Sequence, residues 1–353
     1  MDTQRPFSHR RALSHGEGAQ MMKVLELKDL PLNERSCVTV GGFDGIHLGH
    51  RVLLEEILRE ATIHKAKSVV VTFKIPPKVL LKRTPYGILM TLDEKIDEVA
   101  KYGIDYILLL DFEDVRNLTP KEFIEEIILK GLKACRLVMG FNHKFGRNSE
   151  GDTAFLARNL DKWGFALTII PPVIIEGEVV SSTKIRKLVA EGNVRKASLL
   201  LGHPYRIVGE VIKGHGLGRK LGFPTANIKT HPQKVKPAKG VYAVIAILDG
   251  SEHKGVLNIG HRPTVSNKPS DMQIELHIPN YDGGELYGKP ITIEFYERIR
   301  DECKFPSLQE LKAQIRKDIE KAMEILNGHR DKDHTVDNCK GSQPDKVPTD
   351  SRT

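Results

Sequence analysis

Residues 38–50 read VTVGGFDGIHLGH, a β-branched run that passes through a glycine-rich turn into an amphipathic segment. Apolar residues then recur at helical spacing, at Leu53, Leu54, Ile57, Leu58 and Ala61. A strand, a glycine turn and a helix in this order bring backbone N–H groups and the positive end of a helix dipole to the turn. The stretch therefore predicts an α/β unit that binds a phosphate at the start of its helix.

Two histidines occupy the start of this helix. His47 and His50 are three residues apart and so share one face of the first turn. Two imidazoles there could donate hydrogen bonds to phosphate oxygens as charge builds in a transition state. Zinc binding and a purely structural role are the alternatives, although no further His/Cys pair stands nearby in the sequence.

The chain alternates strand and helix patterns as far as residue 170. The predicted strands after the first are 68–73, 106–110, 136–139 and 166–170, and the predicted helices are 92–101, 119–132 and 152–163. Alternation of this kind implies parallel strands joined by right-handed crossovers. Ligands of such sheets bind beyond the carboxyl ends of the strands, where the turn with His47 and His50 should lie.

The pattern changes after a mostly helical segment at residues 181–201. Strands are predicted at 205–212, 240–247, 254–259, 272–278 and 291–298, and a closing amphipathic helix at 307–327. Successive strands without intervening helices imply an antiparallel barrel or sandwich. The fold class is thus α/β followed by β, with a Rossmann-like domain and a C-terminal helix, and the family resemblance described below implies an antiparallel β-barrel for the second domain.

A second glycine-rich loop, GHGLGRKLGFPTAN, spans residues 214–227. Its glycines leave backbone N–H groups open to phosphate oxygens, and Arg219 adds a cationic donor. Thr225 and Asn227 point to one side of an extended segment and could share Mg²⁺ with the phosphates of ATP. A flexible basic hairpin is the alternative interpretation.

Taken together, these motifs resemble a known family. The loop, its PTAN ending and the later ELH at 275–277 resemble riboflavin kinases. The HLGH of residues 47–50, GFNHKFG at 140–146 and SSTKIR at 181–186 resemble the adenylyltransferase superfamily. With both sets present in this order, the chain resembles the bacterial bifunctional riboflavin kinase/FMN adenylyltransferases, over roughly residues 22–327.

The resemblance implies roles in riboflavin phosphorylation. Glu275 would be the general base, because it alternates with Gln273 and His277 on a strand and a positioned carboxylate can accept the proton of a primary alcohol. Binding of Mg²⁺-ATP is assigned to Gly214, Gly216, Arg219, Thr225 and Asn227, with the last two as metal ligands. Flavin binding is assigned to Asn258, Arg262, Arg300 and Phe305.

It also implies roles in FMN adenylylation, with His47 and His50 as catalytic groups. ATP binding is assigned to Gly41, Phe43, Asp44, His47, His50, Asn142, Ser182, Thr183 and Arg186. Ser182 and Thr183 could equally cap the helix that follows. The chain departs from the family where TFKIPP at residues 72–77 replaces the usual TF(D/E)PHP, so that Lys74 takes the place of an acid.

Length and composition supply the remaining predictions, which concern domain boundaries, disordered ends and redox setting. The 353 residues suggest two domains: an adenylyltransferase domain at 22–186, a hinge helix at 187–201 and a kinase domain at 202–327. Residues 1–21 and 328–353 are predicted to be disordered. Four scattered cysteines, without a C-x-x-C pair, predict a reducing cytoplasmic setting.

The expected partners are the small-molecule substrates riboflavin, FMN and ATP, with FAD as the final product. The net charge is +8, but the basic residues interleave with acids, so nucleic acid is not expected as a partner. No apolar run approaches the ~20 residues needed to span a bilayer, so a membrane is not expected either. Three functions compete: a bifunctional enzyme, a relative in which only the kinase half is efficient, and a flavin- or nucleic-acid-binding protein without activity.

Overall fold

The computed structural model describes residues 21–81, 85–214, 218, 221–261 and 272–336. The chain divides into two compact units. The first comprises Met1–Ile46, His50–Pro77 and Leu92–Pro172, and the second comprises His47–Gly49, Lys78–Thr91 and Val173–Thr353. Residues 173–201 therefore pack with the second unit, although the sequence assigned the part up to residue 186 to the first domain.

The first unit is built on a parallel sheet of six strands. In chain order the strands are β1 Lys23–Leu25, β2 Ser36–Val40, β3 Lys67–Phe73, β4 Tyr106–Leu110, β5 Ala134–Gly140 and β6 Ala166–Ile170. Their order across the sheet is β1-β4-β3-β2-β5-β6. Every residue of β2 is buried, as expected of a parallel strand covered on both faces.

Helices connect these strands. They are α1 Leu48–His64, α2 Pro77–Leu80, α3 Leu92–Ala100, α4 Phe112–Val115, α5 Pro120–Glu122 and α6 Thr153–Trp163. The predicted start of the 119–132 helix is confirmed, because Thr119 Oγ1 accepts from the Glu122 N–H at 3.2 Å and Glu122 Oε2 accepts from the Thr119 N–H at 2.8 Å. From Phe123 to Gly131, however, this helix has π rather than α geometry.

The strand order creates a switch point beside β2. From β2 the chain builds outward through β3 to β4 on one side, and it then crosses to place β5 and β6 on the other side. The turn after β2 and the 140–146 segment after β5 therefore leave the carboxyl ends of neighbouring strands. This is the position at which open α/β sheets bind ligands.

The second unit contains a closed barrel of six antiparallel strands. They are β9 Tyr205–Ile212, β10 Ala226–Thr230, β11 Gly240–Leu248, β12 Ser251–His261, β13 Met272–His277 and β14 Pro290–Arg300. The order around the barrel is β10-β13-β12-β11-β14-β9. The strand pattern alone left barrel and sandwich open, and the closed barrel confirms the predicted fold class. The sequence did not identify β10, whose short run ANIKT carries little β-strand signal. Closure pairs both edges of every strand.

The second unit also contains a small hairpin, three longer helices and, within residues 78–91, most of α2. The hairpin is formed by β7 Ile174–Ile175 and β8 Glu178–Val179. The helices are α7 Ser182–Ala190, α8 Val194–Leu201 and α9 Leu308–Val336. The last helix runs to Val336, so residues 328–336, which the sequence assigned to a disordered tail, are helical.

The barrel core draws on residues outside the strands. Ile185, Leu200 and Leu201 of α7 and α8 are buried in the same apolar cluster as Tyr205 and Phe295. Residues 78–91 also contribute, because Leu89 belongs to this cluster and Ile88 exchanges backbone hydrogen bonds with Gln233 and Val235 at 2.7 and 3.0 Å. The core of this unit is therefore not confined to residues 202–327.

Helix α9 packs on the outside of the barrel. Ala322 and Leu326 are buried with Val241, Ala243 and Val256 of β11 and β12. Arg300, at the end of β14, donates from Nε to Asp318 Oδ1 at 2.9 Å and from its second terminal nitrogen to Oδ2 at 2.7 Å. This two-point ion pair involves an Asp318 side chain that is only 5% exposed, so it ties the helix to the strand.

Leu200→Ala should destabilise the second unit by about 2–5 kcal/mol, because it leaves a cavity at a fully buried position of the shared core. Its neighbour Leu199 is 43% exposed, so Leu199→Ala is the matched control and should cost less than about 1 kcal/mol. Urea unfolding of both variants measures the difference. Equal losses would show that α8 does not contribute to the barrel core.

Asp318→Asn should destabilise the protein by about 2 kcal/mol, since it leaves the Arg300 guanidinium facing a neutral amide in a part-buried site. Lys321→Met on the same helix removes an exposed pair with Glu324 and should change stability by less than about 0.5 kcal/mol. Thermal unfolding compares the two variants. A loss no larger than that of the control would mean that Asp318 does not anchor α9.

Candidate active sites

Three candidate residues of the barrel lie in one row across adjacent strands. Asn227 on β10 is paired in register with Glu275 on β13, and Glu275 is paired in turn with Asn258 on β12. Directly opposed residues of antiparallel strands point to the same face. On β13, Gln273, Glu275 and His277 are part-exposed whereas Ile274 and Leu276 are buried, as the predicted alternation requires.

The ends of the glycine-rich loop lie against this row. A Cβ at Gly214 would clash with the Asn227 amide, and one at Gly218 would lie 2.9 Å from Thr225 Oγ1. Gly214 and Gly218 therefore allow a close approach of the backbone to both proposed metal ligands. Gly216 and Arg219 lie outside the described residues.

Hydrogen bonds hold the PTAN segment against β13. Gln273 Nε2 donates to Asn227 Oδ1, and His277 Nδ1 lies 2.8 Å from the Pro224 carbonyl oxygen. The His277 ring also meets the Phe223 ring edge to face, with centroids 5.9 Å apart. Two of the three outward-facing residues of β13 thus fix the loop, and Glu275 stands between them.

The predicted flavin-binding residues divide into two groups. Asn258 belongs to the row, and the Glu302 carboxylate lies beside it, because a Cβ at Gly260 would be 2.6 Å from Glu302 Oε1 and 3.3 Å from Asn258 Nδ2. Arg300 is engaged by Asp318, and its guanidinium also lies over the Phe305 ring at 5.6 Å. Arg262 lies outside the described residues.

The turn after β2 has a strained backbone. Phe43 and Ile46 have φ angles of +43° and +39°, and both side chains are fully buried. Such angles in non-glycine residues cost on the order of 1–3 kcal/mol each and persist only where the surroundings enforce them. The Gly41 N–H donates to the Val71 carbonyl at 3.0 Å, and Asp44 is 1% exposed.

The two candidate histidines lie at the start of α1. His47 directly precedes the helix and is 6% exposed. The ring of His50 lies 4.9 Å from the Phe43 ring at an angle of 37°. Groups of three or more His, Cys, Asp or Glu side chains able to hold a metal do not occur among the described residues.

Asn142 is exposed in the segment after β5. Its neighbour His143 stacks on Phe145 with centroids 6.4 Å apart, and desolvation lowers the pKa of His143 to about 4. The His143 ring is therefore neutral at pH 7 and does not add a cation to this segment.

Helix α7 is capped by Ser181, not by Ser182 or Thr183. Ser181 Oγ accepts from the Lys184 N–H at 3.3 Å, and the helix begins at Ser182. The capping alternative for Ser182 and Thr183 was therefore wrong, because both residues lie inside the first turn. Arg186, one turn further on, is 3% exposed.

Lys74, the departure from the family pattern, is held by two carboxylates. Its Nζ lies 2.7 Å from Asp111 Oδ2 and 2.8 Å from Glu26 Oε1. Hydrogen bonds from Lys74 and Lys28 lower the pKa of Glu26 to about 2. The lysine thereby joins residues that follow β1, β3 and β4, and its charge is balanced locally.

Sequence analysis missed Lys95, which is 1% exposed on α3. Its ammonium group donates to the Phe73 carbonyl at 2.9 Å and to the Gly42 carbonyl at 3.1 Å. One signal was present in the sequence: Leu92, Lys95, Ile96 and Val99 recur at helical spacing, which puts this lysine on the apolar face of its helix.

Two family models match this chain, one in its N-terminal half and one in its C-terminal half. Residues 30–184 match the FAD synthetase family model, and residues 201–326 match the riboflavin kinase family model.

Within the described residues, none of the helices has the length and apolar character needed to cross a membrane.

Relatives match both halves together. The bifunctional riboflavin kinase/FMN adenylyltransferase of Escherichia coli is 38% identical over 83% of this chain and 94% of its own length. Those of Haemophilus influenzae and Bacillus subtilis are 36% and 35% identical, over 82% and 84% of this chain and 94% of each relative.

A solved structure described as a macrolide-efflux protein from Streptococcus pneumoniae is also similar. It is 30% identical, has a TM-score of 0.76, and covers 84% of this chain and 97% of that one. The motifs, the parallel sheet followed by a closed barrel, and relatives matched over nearly their full length agree with one another. The chain belongs to the bifunctional riboflavin kinase/FMN adenylyltransferase family.

Proposed function

We propose that this protein phosphorylates riboflavin to FMN with ATP and then adenylylates FMN to FAD with release of pyrophosphate. The observation that carries the first step is the row of Asn227, Glu275 and Asn258 across β10, β13 and β12. It sets a carboxylate between two amides on one face of the barrel, next to the glycine-rich loop.

In the kinase step, Glu275 accepts the proton of the terminal ribityl hydroxyl as that oxygen attacks the γ-phosphorus of ATP. A primary alcohol is a weak nucleophile, so a positioned base assists the attack. Gly214, Gly216 and Arg219 bind phosphate oxygens in this proposal, while Asn258, Arg262 and Phe305 bind the flavin. Because Arg300 already pairs with Asp318, we assign it to shaping the flavin site beside Phe305.

Thr225 and Asn227 suit Mg²⁺ as ligands. They offer a hydroxyl and an amide oxygen, which are hard donors, and magnesium sites of this kind are completed by substrate phosphates and water. The Asn227 oxygen accepts one hydrogen bond from Gln273 and keeps a second lone pair. A bound Mg²⁺ would neutralise charge on the β- and γ-phosphates.

In the adenylyl transfer step, an FMN phosphate oxygen attacks the α-phosphorus of ATP and pyrophosphate leaves. The nucleophile is already anionic, so the site must stabilise charge rather than remove a proton. We assign this to His47 and His50 at the start of α1, to the Gly41–Phe43–Asp44 backbone, and to Asn142, Ser182, Thr183 and Arg186.

The free thiols of Cys37, Cys135 and Cys303 support a reducing cytoplasmic setting.

Incubation of the purified protein with riboflavin and Mg²⁺-ATP, followed by separation of the flavins, tests the proposal. FMN and FAD together support it. FMN alone would favour the kinase-only alternative, and neither product would favour a binding protein without activity. Omission of Mg²⁺, with EDTA present, should stop product formation.

Glu275→Gln should reduce FMN formation by about 10²–10⁴-fold, because the amide cannot accept the ribityl proton. Conversion of supplied FMN to FAD should stay within a few-fold of wild type, since Glu275 lies on the barrel. Glu297→Gln on β14 is the isosteric control and should leave both rates unchanged. A kinase rate near that of wild type would remove Glu275 from the role of base.

His50→Ala should have the converse effect. FAD formation from supplied FMN should fall by about 10²–10³-fold, the loss typical of removing one donor to transition-state charge, while riboflavin phosphorylation persists. His64→Ala at the other end of α1 is the control. Loss of both activities in a folded His50→Ala protein would contradict two separate sites.

A further inference from the structure

Lys95 is a buried lysine whose position is explained by neither half of the family pattern quoted above. Lysine side chains are almost never fully buried unless their charge is satisfied. Here the ammonium group reaches the carboxyl ends of two adjacent strands. It donates to the carbonyl of Phe73, the last residue of β3, at 2.9 Å and to the carbonyl of Gly42, two residues after β2, at 3.1 Å.

A hydroxyl completes this arrangement. Thr72 Oγ1 donates to the same Gly42 carbonyl at 3.1 Å and lies 3.4 Å from Lys95 Nζ. Two donors therefore converge on one carbonyl oxygen, using both of its lone pairs. Since Thr72 is itself fully buried, the Gly42 carbonyl is fixed from the sheet and from α3 at once.

This carbonyl immediately precedes the strained residue Phe43. The two hydrogen bonds to the Gly42 carbonyl restrain rotation of the peptide group between Gly42 and Phe43. They thereby help to hold the backbone conformation in which Phe43 has a φ angle of +43°. The Phe43 ring is fully buried and lies 4.9 Å from the His50 ring. A continuous line of contacts thus runs from Lys95 through Gly42 and Phe43 to His50.

We propose that Lys95 is a positioning residue for adenylyl transfer, which holds the turn between β2 and α1 in the conformation that orients His50 and the backbone N–H groups of the turn. This inference rests on the proposed adenylyltransferase function. Lys95 acts through the Gly42 carbonyl and does not itself contact a reacting atom.

The test compares Lys95→Met with wild type in both reactions of the same protein. Methionine keeps the length and apolar stem but removes the three donors. The kcat of FAD formation from FMN should fall about 10²-fold, the scale of an ångström-sized misplacement of catalytic groups, while KM for FMN and ATP changes less than about threefold. Riboflavin phosphorylation should stay within about twofold, which also reports the concentration of folded barrel.

Lys101→Met is the matched control. Lys101 follows the same helix, is 48% exposed and pairs with Glu98 on the surface at 2.6 Å. This variant should leave both activities at the wild-type level. If Lys95→Met behaved like this control, the inference would be overturned while the proposed function stood; absence of FAD formation by wild type would instead overturn the proposed function.

A double variant distinguishes positioning from general damage. If Lys95 acts through His50, Lys95→Met should cost far less in the His50→Ala background than in the wild type, because residues that act as a unit are non-additive. Full additivity of the two losses would contradict the proposal.

If Lys95→Met does not fold, Thr72→Val provides a second test of the proposed role of the Gly42 carbonyl. It keeps the β-branched shape and the lysine, and it removes only the hydroxyl that supports the Gly42 carbonyl. The kcat of FAD formation should drop about tenfold with an unchanged KM and unchanged kinase activity. If a folded Thr72→Val protein kept the wild-type kcat, the hydrogen bonds to the Gly42 carbonyl would not be what orients the turn, and the proposal would be contradicted.

Discussion

Backbone polar groups at the ends and edges of β-strands must find hydrogen-bond partners, and this constraint governs both units of the protein. In the first unit, the carbonyl that follows β2 is satisfied by Lys95 and Thr72, which fixes the start of a strained turn. In the second unit, closure of six strands into a barrel pairs both edges of every strand. The candidate catalytic residues lie beside backbone that is fixed in these two ways.

The two candidate sites use different kinds of rigidity. Asn227, Glu275 and Asn258 are held by strand register, in which a shift of one residue would turn each side chain to the opposite face. His50 is held by a turn whose unfavourable φ angles are enforced by buried side chains and hydrogen bonds. Strand register fixes the direction of a single side chain, which suits a proposed base that must meet one hydroxyl. A strained turn at a helix start holds backbone N–H groups in place, which suits a site that stabilises phosphate charge.

Ion pairs explain how the chain accommodates its departure from the family pattern. Lys74 stands where an acid is usual, yet Asp111 and Glu26 bind it on either side. The positive charge of Lys74, which directly follows β3, is therefore neutralised by carboxylates that directly follow β1 and β4. Arg300 is a parallel case, because Asp318 of α9 engages the guanidinium that the sequence assigned to flavin binding.

The sequence by itself determined the order and type of the main elements. The alternation of β-branched runs with 3.6-residue periodicity predicted five of the six strands of the parallel sheet, and the later change of period predicted five of the six barrel strands. These patterns are local and can be read along the chain. The motifs likewise named Glu275, His47 and His50, because glycine spacing and strand alternation are properties of neighbouring residues.

Only the tertiary structure decided which distant residues meet. Barrel closure joins β9 to β10 and β14, and neither β10 nor the contribution of residues 78–91 and 173–201 to the barrel core carries a local signal. The pairing of Arg300 with Asp318, and of Lys95 with Gly42, depends on elements far apart in the chain. Such contacts follow from packing and desolvation in three dimensions, so periodicity and spacing along the sequence could not reveal them.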